Sequence, residues 1–185
     1  EPLGPSLGIQ AQLPILLAEY PFRTQQDIAD YLHLLQDLPR YFSDLIALEQ
    51  EKSRQGVFQN DLAVDGIIRQ CSAFLADADT PESHLLHTVF QNKLQASSLF
   101  SEAERNLCLQ THEKLLTSCV FPAYRSLSDA LSSLRGKGTQ NAGGLSRQEG
   151  GLSYYAYLLR SRVGVDVAPP VKRQHRRGCG EDTHS

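Results

Sequence analysis

The sequence predicts a mainly α fold of antiparallel helical hairpins. Three observations carry that expectation. Apolar residues recur at i, i+3 and i+4 through most of residues 24–163. Start signals, a hydroxyl followed by an acid, precede these runs at Thr24, Thr80 and Ser101. The links between runs are short, and no repeat of fixed period is present.

Pro2, Gly4, Pro5 and Gly8 mark residues 1–8 as an entry loop. Pro14 interrupts any helix that follows and Pro21 ends the segment. Ile9 to Leu13 and Ile15 to Tyr20 therefore read as short extended pieces, a β segment near the N-terminus. Thr24 caps the next element, with Asp27 at its third position and Ile28, Tyr31, Leu32 and Leu35 as its stripe. Pro39 suits the first turn of a separate helix carrying Phe42, Leu45, Ile46 and Glu49, stopped by Gly56. Asp61 opens a third helix with Val64, Ile67, Ile68, Cys71 and Leu75 on one side. Gly66 should weaken it by about 1 kcal/mol relative to Ala.

Thr80-Pro81-Glu82 is a further start, followed by Leu85, Leu86, Val89, Phe90 and Leu94. Ser101 and Glu104 form a capping box that opens a long pattern through Leu107, Cys108, Leu115, Leu116 and Cys119. Pro122 is expected to kink or break it. The spacing resumes with Tyr124, Leu127, Leu131 and Leu134, and Gly136 terminates it. Residues 136–151 hold six Gly and no helical period, so they read as a loop. A last helix over Leu152 to Val163 places Tyr154, Tyr157 and Leu158 on one face. After Asp166 the tandem Pro169-Pro170 and the Lys172–Arg177 cluster read as a disordered basic tail, residues 166–185.

Composition limits the function classes. The 185 residues are 41% hydrophobic and 21% charged, with a net charge of −3. That gives a core, no basic field to recruit nucleic acid or anionic membrane, and no spanning segment. There is no Met, and the chain opens on Glu1 and Pro2. A processed product, an engineered product or a fragment is expected. Four Cys in 185 residues, without framework spacing, favour a reducing compartment and hence a cytoplasmic location. Cys108 and Cys119 lie eleven residues apart on one predicted helix. That puts them roughly 16 Å apart at about 1.5 Å per residue, too far for one disulfide or one zinc ion.

Motifs for chemistry are sparse. His112-Glu113 opens like H-E-x-x-H, but the fifth position is Leu116. His84 and His87 are three apart, yet no carboxylate follows in zinc-hydrolase order, so they read as half-exposed helix histidines. Gly136-Lys137-Gly138-Thr139 lacks the remaining P-loop positions, with Leu131 where that motif needs Gly. No G-x-S-x-G elbow is present. What remains is the Gly-rich loop with Tyr154 and Tyr155. Ordered Gly backbone can approach a ligand closely, and phenols can donate to a carbonyl or oxyanion. The structural reading of the same residues is a connector followed by an aromatic helix face.

Taken in order, several segments carry a resemblance. They are GIQAQLPILLAEYPFRTQQDIADYLHLLQDLPRYF, Gly56-Val57-Phe58 with IIRQC, FPAYRSL, and NAGGL with GGLSYYAYLLRSRVG. Over roughly residues 8–165 the chain resembles the bacterial DUF885 family. The resemblance implies a piece, N-terminal to middle, of a large helical protein similar to gluzincin-type zinc metallopeptidases. Members carry a His-Glu-x-x-Pro-Gly-His motif in their C-terminal half. That motif is absent here, so no catalytic or metal-binding residue is carried over. The expected function is a non-catalytic scaffold of such a hydrolase, inactive alone. Gly143, Gly144, Tyr154 and Tyr155 match the family signature and are the candidate substrate-binding residues, one wall of a cleft. No cofactor is expected in this chain, and zinc is expected in the complete protein. The expected partners are the rest of the parent polypeptide and a peptide substrate, with neither nucleic acid nor membrane. Family members continue past residue 166 with acidic, well-patterned sequence, so a frameshift or gene-end artefact near residue 167 accounts for the tail. The alternative is a self-contained helical binding module without enzymatic activity.

Overall fold

Capping chemistry sets most of the helix starts. The structure, a computed structural model, describes residues 2–138 and 150–164. These fall in two units, residues 1–140 and 141–185. All regular elements among the described residues are helical, so the predicted mainly α class holds.

In the first unit, α1 spans Ile9–Glu19, where extended pieces were expected. Pro14 lies inside it and cannot donate to the Gln10 carbonyl, its partner in an α-helix. That carbonyl is supplied instead by the Tyr124 hydroxyl, which donates to it at 3.0 Å. A tertiary donor replaces the missing N–H, so the helix survives its proline. Its C-terminal carbonyls are met by Lys93, whose ammonium donates to Ala18 O and, at 2.8 Å, to Tyr20 O.

The second correction is also at a proline. Helix α2 runs unbroken over Gln25–Arg54, with Pro39 inside it. Thr24 and Asp27 form the predicted capping box. The buried positions Ile28, Tyr31, Leu35, Leu38, Phe42, Leu45 and Glu49 alternate three and four apart through Pro39. One continuous apolar seam therefore outweighs the roughly 3 kcal/mol that an interior proline costs. Gly56, at φ +72°, stops the helix as expected, and Val57 N–H donates back to Lys52 O at 2.9 Å.

Asn60 caps α3, Asp61–Phe74. Pro81–Ser83 forms only a single 3₁₀ turn. Helix α4, Leu85–Ala96, starts after it and is capped by the His84 ring, not by Thr80. Helix α5, Glu102–Leu115, opens on the predicted Ser101–Glu104 box. Pro122 does not break the rod. A widened π turn over Leu116–Val120 carries α5 into α6, Phe121–Leu134. The wider turn accommodates a proline without N–H, and the Thr117 and Ser118 hydroxyls donate to Lys114 O at 2.9 and 2.7 Å.

Helix α2 packs on α5, the π turn and α6. Helix α3 packs on α6, and α1 lies against α3 and α4. Residues 2–8 are tied down. Leu3 is fully buried, Gln59 donates to its carbonyl at 3.1 Å, and Gln70 donates to Pro5 O at 2.7 Å. Gly66 is the seat of this arm: a Cβ there would sit 2.8 Å from the Pro5 Cβ. In the second unit, α7 spans Gly151–Leu158 and ends in a π turn, Leu159–Val163. No helix among the described residues is long and apolar enough to cross a membrane.

Candidate functional site

Of the four candidate residues, Gly143 and Gly144 lie outside the described residues, as does the whole tail, residues 166–185. Tyr154 and Tyr155 lie on α7, 52% and 42% exposed. The aromatic face is present as read, with Tyr154 stacked on Tyr157 at 6.2 Å between ring centroids. Adjacent helical residues point about 100° apart, so Tyr155 belongs to a different face. The two phenols can each offer one donor to a ligand, from separate directions.

The densest polar chemistry lies elsewhere and escaped the sequence reading. His84, His87 and His112 are buried, at 3%, 7% and 0% exposure, where the first two were expected to be half-exposed. His84 is not helical but stands at the α4 N-cap. Its Nδ1 accepts the Leu86 N–H at 3.3 Å, which leaves the proton on Nε2 to donate to Phe74 O at 3.0 Å. His112, on α5, spans two partners. Its Nε2 lies 3.3 Å from the Tyr31 hydroxyl and its Nδ1 lies 3.4 Å from His87 Nδ1. One tautomer set gives Tyr31 and both His112 ring nitrogens a role. Tyr31 O–H donates to His112 Nε2, His112 Nδ1–H donates to His87 Nδ1, and the His87 proton sits on Nε2.

Burial fixes the charge state of this chain of bonds. Desolvation pulls the His112 pKa down to about 3, and His87 and His84 add to the effect. Desolvation also lowers His87, against the opposing pull of Glu113 and Glu82. It raises Tyr31 well above the ordinary phenol range. The rings stack as well: His112 lies on Phe90 at 4.2 Å and 8° between planes. Neutral imidazoles packed this way join α2, α4 and α5.

These residues do not fit zinc. Both ring nitrogens of His84 are spent on backbone, and His112 Nε2 is spent on Tyr31. Among the described residues no three His, Cys, Asp or Glu side chains are grouped to hold a metal. Cys71, Cys108 and Cys119 are free thiols, and the first of them is raised to about 12 by burial. His112 stands four residues after Cys108, on the same helix face. Its partner His87 lies 25 residues away on another helix, which periodicity cannot reveal. An open groove of about 480 Å³ lies beside the α1–α2 link, lined by Phe22, Arg23, Lys93 and Leu99. Its Lys93 is already committed to α1 carbonyls.

No curated protein matches the chain. A crystal structure of a "putative lipoprotein" from Colwellia psychrerythraea has a TM-score of 0.83 at 18% identity, which shows a shared fold. The alignment covers 91% of this chain and 28% of that one, so this chain spans under a third of its length. The model for DUF885, a bacterial protein family of unknown function, matches residues 2–180. With nearly every residue matched, the chain belongs to the DUF885 family.

Proposed function

We propose that this chain is a non-catalytic helical scaffold from a larger zinc metallopeptidase-like protein, with α7 contributing to one wall of a peptide cleft. The reading rests on the resemblance of family members to zinc metallopeptidases, and the family match over residues 2–180 supports the membership it needs. The polar core is consistent with it, because both ring nitrogens of His84 and of His112 are engaged in internal bonds. Zinc and the peptide-cleaving groups belong to other segments of the complete protein, and no step of that reaction is assigned to residues here. Chain-held roles are confined to binding: Tyr154 and Tyr155 would donate hydrogen bonds to peptide carbonyls, and Gly143 and Gly144 are proposed for the same wall. The free thiols at Cys71, Cys108 and Cys119 suit a reducing cytoplasm, which is part of the same proposal.

The test uses a full-length family member containing this segment. Chelation should abolish peptide hydrolysis and zinc should restore it. Replacing both Tyr154 and Tyr155 by Phe should lower kcat/KM about tenfold or more, in line with two lost hydrogen bonds. Turnover that ignores chelation would remove the metallopeptidase reading. Unchanged kinetics in the double variant would remove the cleft-wall role.

A further inference from the structure

We propose that the outer edge of α2 seats a further helix of a longer parent polypeptide, one with an apolar contact stripe and a Lys- or Arg-rich edge. This rests on the reading that the chain is part of a larger protein. Leu34, Tyr41 and Leu48 are 46%, 43% and 42% exposed. They recur every seven residues, beside the buried seam of Leu38, Phe42, Leu45 and their neighbours. Over 14 residues of rise they form a stripe roughly 21 Å long. Seven-residue spacing is what a second helix reads.

Charge says which helix. One step further round α2 stand Asp30, Asp37, Asp44 and Glu51, again seven apart. The outer two are occupied: Asp30 accepts from the Gln26 amide, and Glu51 takes Arg54 and Gln55. Asp37 and Asp44 flank Tyr41, are exposed, and have no ion-pair or hydrogen-bond partner among the described residues. An apolar stripe edged by free carboxylates selects a helix with cations on the facing edge. A second copy is disfavoured, because an antiparallel two-fold pair sets this acidic edge against itself. Nucleic acid and anionic membrane are repelled by the same edge. A source in the same polypeptide is favoured because the similar fold in the Colwellia structure occupies 28% of a longer chain.

The experiment uses two designed helical peptides of about 20 residues, identical in a Leu stripe but edged by Lys in one and Glu in the other. Fluorescence anisotropy at low salt should show the Lys-edged peptide binding this chain at least about tenfold more tightly. The Asp37→Lys/Asp44→Lys variant should reverse that order, and Tyr41→Asp should abolish binding of both. All three positions are exposed, so circular dichroism should be unchanged. The longer parent polypeptide should bind neither peptide, its seat being filled. Equal affinity for both peptides, dimerisation of this chain through Tyr41, or undiminished peptide binding by the longer parent would overturn the proposal. None of these readouts involves zinc or turnover, so the peptidase reading can fail without this one.

Discussion

The Gln10 carbonyl shows how one residue's deficit is answered by another 114 positions away. Pro14 removes its helical donor, and Tyr124 replaces it at 3.0 Å in a buried site. Tyr124→Phe should therefore cost about 1 to 3 kcal/mol, the range for a buried acceptor left unmade. Pro14→Ala restores a backbone N–H at that carbonyl. The double variant should lose distinctly less than Tyr124→Phe alone, a coupling that urea denaturation of the four proteins can measure. Equal losses with and without Pro14 would mean the hydroxyl is not serving the helix. The sequence displayed both residues but not the bond, since nothing in local spacing relates them.

At the scale of the element, Gly66 reverses a sequence expectation. In an isolated helix, Gly66→Ala should stabilise α3 by about 1 kcal/mol. Here the added Cβ would meet Pro5 at 2.8 Å, so the arm must shift or the helix must move. We expect Gly66→Ala to lower the thermal midpoint in the full chain. It should raise it when residues 1–8 are also removed, because the obstacle leaves with them. A stabilised full-length variant would show that the arm is not seated on α3. The prolines carry the same lesson. The sequence predicts breaks at Pro14 and Pro39 and a kink or break at Pro122, yet α1, α2 and the α5–α6 rod pass through all three. Propensity acts over one turn, whereas each of these rods buries a face along its length.

For the molecule as a whole, His112 makes stability depend on pH. Its pKa is about 3 when folded, against about 6.5 for an unfolded histidine. Between those values the unfolded chain binds the extra proton. Stability is therefore complete above about pH 6.5 and falls as pH drops toward 3, and His87 adds in the same direction. Melting between pH 7 and pH 4 should show this fall, beyond any due to carboxylates. His112→Phe should flatten it while preserving the stack on Phe90. An unchanged pH slope in that variant would exclude His112 as its source.

The helical class, both capping boxes, the Gly56 and Gly136 stops and most of the core were legible in the sequence. All of them depend on residues within a turn or two of one another. The same holds for the aromatic face of α7, read from the spacing of Tyr154 and Tyr157. What only the tertiary structure decided was which carbonyls find donors, where Gly66 meets the arm, and that three histidines are buried. The physical reason is common to these. A buried polar group is tolerated only if its partner is present, and here the partners lie on other helices, 10 to 114 residues away.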